Sequence, residues 1–212
     1  MTHSLYGRMY LAAYDTDAGA LYDRTRTGFL LRVAVLAELA LTGRLTDSAG
    51  EVAARGSGAV GDPVLDLVLS RVMERRHTWK AWVRTDRKET LGAVEDRLVE
   101  EGLISVRERA ALVPSARRVV TVADPAAVRG YQARLTALLG ESGPVEPFDA
   151  VVLALAAAGG AHHVVPRADA RAHRGRVEAL TGELDAVAPG LAEAVRGLGT
   201  TLVAAQGGMG GG

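Results

Sequence analysis

The run from Gly28 to Leu45, GFLLRVAVLAELALTGRL, limits what this chain can fold into more than any other stretch. Wound as a helix it is apolar on nearly every face, and such a helix belongs in the centre of a core. The pattern predicts a helix from about Thr27 to Thr42, stopped by Gly43. One cation, Arg32, interrupts it near the start. The helix dipole already makes that end positive, so a cation there is a poor choice for stability. Arg24 and Arg26, just upstream, add two more. Two readings are open. In one, the three cations gather for an anion, because free N–H groups and the dipole favour phosphate or carboxylate at a helix N-terminus. In the other, Arg24 and Arg26 are solvated and Arg32 snorkels or pairs with a carboxylate.

A fully buried helix needs enough chain to surround it. The 212 residues, 48% hydrophobic and 24% charged, have the composition of a globular domain and can bury one core. The 25 basic and 25 acidic residues cancel, so any pull toward nucleic acid or membrane must come from a local patch. The chain has no cysteine, which excludes disulfides, thiolate catalysis and Cys-ligated zinc and fits a reducing cytosol. The segment MTHSLYGRMYLAAYDTD lacks the charged start and long apolar run of a signal peptide. Ala150–Ala158, the longest candidate for a membrane span, is about half of the ~20 residues required and reads as a core helix. The expected location is cytoplasmic, or peripheral on the inner membrane face.

Along the chain, Tyr10 to Leu21 reads as an extended or hairpin-like segment around a turn at Asp15–Gly19. Asp47–Gly61 reads as a loop. Asp62–Pro63 and Asp124–Pro125 are helix starts, Asp as cap and Pro at the first helical position. The second runs through Leu139. Leu91, Val94 and Leu98 mark a helix that stops at Gly102. Ala111–Val113 and Val119–Val122 flank Pro114–Arg118 as a two-stranded hairpin. After the linker Glu141–Pro147 come a core helix Phe148–Ala158, a Gly159–Gly160 break, a long helix Arg167–Val187 and a last helix after Pro189. The fold class expected is mostly α: a single helical domain with one β-hairpin, residues 1–205, followed by a disordered glycine-rich tail, 206–212.

Several groups could carry chemistry. Arg76, Lys80, Arg84 and Arg87 are spaced as one basic helix face beside Trp79 and Trp82, which suits a membrane-surface helix or a nucleic-acid contact. The alternative is a solvated stripe with both tryptophans packed inward. His162, His163, His173 and Asp169 match no metal-ligand spacing. Asp15 with Asp17 and Glu38 with Asp66 are carboxylate pairs without a nucleophile, phosphate loop or metal motif beside them. Asp15 and Asp17 are better explained as turn residues. No enzyme is expected.

The order of these motifs resembles the Golgi phosphoprotein 3 family, in a bacterial, actinobacterial branch. LLRVAVLAELALTGRL at Leu30–Leu45, DPVLDLVLSRV at Asp62–Val72, TWKAWV at Thr78–Val83, LGAVEDRLVEEGLI at Leu91–Ile104 and DAVVLALAAAGGAHHVV leading into RGRVEALTGEL carry the resemblance, over about Leu5 to Ala205. It implies a mostly helical fold with a hairpin. The eukaryotic relatives are peripheral membrane proteins that bind phosphatidylinositol 4-phosphate and sort Golgi glycosyltransferases. Their pocket uses a tryptophan, an arginine near the start of the first core helix, and two arginines ahead of the RLVEEGLI-like motif. The first arginine corresponds to Arg32. The tryptophan position falls at about Asp23, and the other two near Lys88 and Leu91, so only one of these keeps a cation, with Arg87 adjoining. The hairpin tip Pro114–Arg118 is basic rather than apolar.

The resemblance and the cation pattern together point to a non-enzymatic, peripheral binder of anionic phospholipid or phosphoinositide headgroups, acting as a membrane adaptor. The residues expected at the headgroup are Arg32, Arg24, Arg26, Arg87 and Lys88. No cofactor is expected, and membrane-associated proteins are further expected partners. Two alternatives stand beside it: a protein-interaction scaffold without lipid binding, and a DNA-binding regulator, since helix, stop and hairpin over Leu91–Val122 outline a winged-helix end. Against DNA, that helix carries Glu95, Asp96, Glu100 and Glu101 with one Arg97, and carboxylates repel phosphates.

Overall fold

The computed structural model describes residues 4–109 and 117–207, with side chains placed for all but the residues flanking the gap and the last three. The apolar run becomes helix α2 (Arg24–Leu41), and every residue from Thr27 to Ala40 is buried. It starts three residues earlier than the pattern predicts, because Asp23 takes an extended backbone and its side chain accepts from the Arg26 N–H. It ends as expected: Gly43 takes φ 72 just after the cap.

The other elements wrap this helix. Helix α1 (Leu5–Ala12) packs along it, as do α3 (Pro63–Glu74), α4 (Trp79–Arg84), α5 (Arg87–Glu100) and α7 (Pro147–Gly159). Helix α6 (Pro125–Gly140) covers α1 and α7; α8 (Arg167–Ala172), α9 (Arg174–Gly182), α10 (Pro189–Arg196) and α11 (Leu198–Gly207) close the far side. Three antiparallel pairs complete the fold: β1 (Tyr14–Asp15) with β2 (Ala20–Leu21), β3 (Leu45–Ser48) with β4 (Glu51–Ala54), and β5 (Ile104–Arg109) with β6 (Arg117–Val122). The architecture is mostly α, and no described helix is long and apolar enough to cross a membrane.

Four expectations need correction. The first segment is a helix before it is a hairpin: Leu5–Ala12 lacks an alternating pattern because seven of its eight residues are buried, leaving no polar face to show helical spacing. Only β1–β2 forms around the expected turn, where Asp15 Oδ1 accepts from the Asp17 and Ala18 N–H groups. The Asp47–Gly61 loop contains a hairpin, turning on Ala49 (φ 54) and Gly50 (φ 84). The main hairpin pairs Ile104–Arg109 with Arg117–Val122, so its first strand lies upstream of Ala111–Val113, which is outside the described residues with the tip Pro114–Ala116. Buried Ile104, Val120 and Val122 alternate with exposed Ser105 and Thr121, the period of a half-buried strand. Finally, Arg167–Val187 is not one helix. It breaks at His173 (φ −106, ψ 28), where α8 has no buried residue to hold it against the core.

Candidate functional site

Arg32 is buried completely, but not in a carboxylate pair. Its Nε donates to the Trp82 carbonyl at 3.1 Å and one terminal nitrogen to Thr90 Oγ1 at 3.3 Å. The other terminal nitrogen, Nη2, has no partner, and neither has Trp82 Nε1, whose ring lies 5.4 Å from the guanidinium carbon. Two neighbouring buried side chains thus each carry a donor without an acceptor among the described residues. Burial pulls the Arg32 pKa down to about 10, against the attraction of Asp86, so the side chain still carries its charge at neutral pH.

The helix end that matters here is not the one the sequence suggests. Arg32 lies more than two turns into α2, beyond the reach of that helix's own positive end. It lies instead against the first turn of α5, through Thr90. No side chain caps α5: Asp86 precedes it in the left-handed conformation, φ 55 and ψ 25. Gly28 makes this convergence fit. A Cβ there would stand 3.2 Å from the Arg87 carbonyl oxygen, a tight contact, so the absence of one at Gly28 eases the close approach of α2 to the start of α5.

Of the five cations expected together, three meet here. The Arg87 guanidinium stacks 3.8 Å over the Phe29 ring while its Nε donates to the Arg84 carbonyl, and burial lowers its pKa. Lys88 is exposed on the same first turn. Arg24 and Arg26 are engaged elsewhere. Arg24 makes a two-point pair with buried Glu95, at 2.7 and 3.1 Å, which also accepts from the Tyr10 hydroxyl. Arg26 pairs with Asp23 at 3.3 Å and donates to the Gly159 carbonyl. Partners 71 and 133 residues away give no signal in the chain near Arg24 and Arg26.

The other candidates resolve as follows. The basic stripe is not one face: α4 ends at Arg84, Arg76 precedes it and Arg87 belongs to α5. Both tryptophans point inward, each 1% exposed, and Trp79 Nε1 donates to Asp47 Oδ2. His163 Nε2 lies 2.7 Å from the Ala12 carbonyl, and the Arg167 Nε donates to His162. Glu38 and Asp66 do not pair. Glu38 Oε2 accepts from the Leu5 N–H at the start of α1, and Asp66 accepts from the Val60 and Gly61 N–H groups. A cleft of about 820 Å3 opens between α4, α10 and α11, lined by Trp79, Lys80, Arg84, Glu193 and Thr200 among others, and none of the five expected cations lines it.

Sequence reasoning missed Arg71 and Asp86. Arg71 reaches from α3 to Asp86 at 2.5 Å and to Glu89 at 2.5 Å, directly beside the α5 start. The signal available was Asp86 followed three residues later by Glu89, the spacing of a capping box.

No curated protein matches this chain. The convergence of α2 and α5, the flanking hairpin and the buried α7 lie within residues 5–198, which the Golgi phosphoprotein 3 (GPP34) family model matches, and the chain belongs to that family.

Proposed function

We propose that the protein binds anionic lipid headgroups at the start of α5 and acts as a peripheral membrane adaptor without enzymatic activity. The observation that carries this is Arg32: a buried, charged guanidinium with an unpartnered nitrogen, set against a helix start that no side chain caps. Uncapped first-turn N–H groups and a buried positive charge favour the same thing, a group with several acceptor oxygens and negative charge. Four cations (Arg32, Arg71, Arg87, Lys88) surround this turn against two carboxylates, Asp86 and Glu89, so the local field is positive although the chain is neutral. A phosphorylated inositol headgroup has the required oxygens, and Lys88 is placed on the surface to meet it.

The test is flotation with phosphatidylcholine vesicles, with and without phosphatidylinositol 4-phosphate, at two salt concentrations. The protein is expected to float with the anionic vesicles and to detach as salt rises, because exposed charges are screened over about 8 Å at physiological ionic strength. Lys88→Glu, at an exposed position, is expected to keep the thermal midpoint and reduce flotation by roughly ten-fold or more, about two charge units at ~1 kcal/mol each. Equal recovery with neutral and anionic vesicles would leave the scaffold alternative in the lead. Competition by duplex DNA at matching concentration would favour the nucleic-acid alternative.

A further inference from the structure

Six of the described helices begin beneath a side chain that accepts a first-turn N–H: Ser4 for α1, Asp23 for α2, Asp62 for α3, Thr78 for α4, Asp124 for α6 and Glu146 for α7. All six caps have negative φ and extended ψ, from 90 at Asp124 to 157 at Thr78. Asp86 carries the same chemistry as three of them and makes no such bond. Its left-handed backbone turns the carboxylate toward α3, where Arg71 binds it at 2.5 Å. Glu89 sits where a capping box places its reciprocal acceptor, and it too goes to Arg71. One arginine thus draws both potential capping groups of α5 away from the α5 amides. Independently, the unpartnered Arg32 nitrogen lies buried at that same turn.

We infer that Asp86 is an internal rival for the anion at the start of α5, and that Arg71 keeps the rival off. In the left-handed conformation the site is open. Rotation of Asp86 to the extended backbone of the other caps swings its carboxylate over the first-turn amides and closes it. The left-handed region is disfavoured for an aspartate, so the open form depends on what holds it, and the Arg71 pair is the visible restraint. Arg71 is a positioning residue: it acts on the anion through Asp86. The inference rests on the anion-binding reading of the α5 start and adds its regulation.

The experiment is a double-mutant cycle on the full chain with Arg71→Gln, Asp86→Gly and the two combined, read by flotation with vesicles of phosphatidylcholine and phosphatidylinositol 4-phosphate. Glycine enters the left-handed region freely and carries no carboxylate. Arg71→Gln is expected to weaken binding by about five-fold, the worth of a side-chain cap. Asp86→Gly is expected to strengthen it, and the double variant to bind like Asp86→Gly alone, because Arg71 then has no rival to restrain. Arg75→Gln, at the exposed residue that follows the end of α3, measures the loss from removing a cation as such. An Arg71→Gln loss equal to that control, or undiminished in the Asp86→Gly background, overturns the inference. If the wild type floats with no anionic vesicle, the anion-binding reading itself has failed, and amide hydrogen exchange still decides this one. Arg71→Gln must then slow exchange at Lys88 and Glu89 as Asp86 caps them, and unchanged rates sink the rival role.

Discussion

Asp149 and Arg32 are both fully buried charges, and their surroundings are opposites. Asp149, in the first turn of α7, accepts from Arg8 at 3.0 Å, from the Tyr131 hydroxyl at 3.0 Å and from Arg134 at 2.5 Å. All three donors come from other helices, Arg8 from α1 and Tyr131 and Arg134 from α6, so the carboxylate ties α1 and α6 to α7. Arg32 has two neutral acceptors, and one nitrogen has none. Between them stands Glu38, a buried carboxylate bonded by backbone amides of α1 and, among the described residues, in no ion pair. The series separates charges that build the fold from one that the fold leaves wanting. A buried charge that is fully matched is an assembly device, whereas an unmatched one lowers stability and persists where something else supplies the match.

The matched end of the series should break hardest. Asp149→Ala removes the carboxylate on which α1 and α6 converge: the buried Tyr131 hydroxyl loses its acceptor, Arg8 keeps only Glu146, and Arg134 is released to solvent. The expected loss is about 3–5 kcal/mol, read from the midpoint of urea denaturation at neutral pH. A loss under about 1 kcal/mol would show that the three donors find water as readily as Asp149, and the contrast with Arg32 would collapse.

Glu38 gives a smaller effect with a sign that can be checked. Burial raises its pKa to about 7, only partly offset by the Leu5 and Tyr6 amides, with Asp62 opposing and Arg8 assisting ionisation. The folded state therefore keeps this proton up to about pH 7, while the unfolded chain releases it near the ordinary 4.5. Between those values the unfolded state binds fewer protons, so stability from this group falls as pH rises. The expected difference between pH 4.5 and 7.5 is on the order of 2 kcal/mol. Glu38→Gln should erase it, seen as the difference between the two proteins' stability–pH curves, which cancels the carboxylates common to both. Parallel curves would mean that folding leaves the Glu38 pKa where it is in the unfolded chain.

Much of the fold was legible because it rests on local rules. Asp62–Pro63 and Asp124–Pro125 begin helices as read, with each aspartate bonded to first-turn amides. Gly43 and Gly102 end helices with positive φ. The all-apolar run is the central helix. What escaped was set by distance or by the absence of contrast. Leu5–Ala12 is buried at every residue but Arg8 and so shows no periodicity. The β3–β4 turn is built on Ala49–Gly50, without the Asn-Gly or Asp-Gly signal of a tight hairpin. The five cations looked like one patch because they cluster in sequence or in a family motif. Folding sent Arg24 to Glu95 and Arg26 to Asp23 and Gly159, and left Arg32 with α5. Arg26 finds its carboxylate three residues away, but for Arg24 and Arg32 the outcome is decided across the fold, and nothing near them in the chain records it.

The unmatched end of the series should give the smallest change in stability and the largest change in binding. Arg32→Met keeps length and most of the volume while removing the charge. It ends the desolvation of a guanidinium and one unmade hydrogen bond, and it frees the Trp82 carbonyl and Thr90 hydroxyl, of which the hydroxyl retains the Asp86 carbonyl as its acceptor. These effects oppose each other, and replacing a buried charge by an apolar side chain of similar size is often neutral or stabilising. The expected change in stability is within about 1 kcal/mol of zero. Binding to phosphatidylinositol 4-phosphate vesicles should nevertheless fall about ten-fold or more, since a hydrogen bond to a charged partner contributes about 1.5–3 kcal/mol. Urea midpoints and flotation on the same preparation measure both. A stability loss approaching that of Asp149→Ala would make Arg32 a structural centre like Asp149 and remove the reason to seek its partner outside the fold.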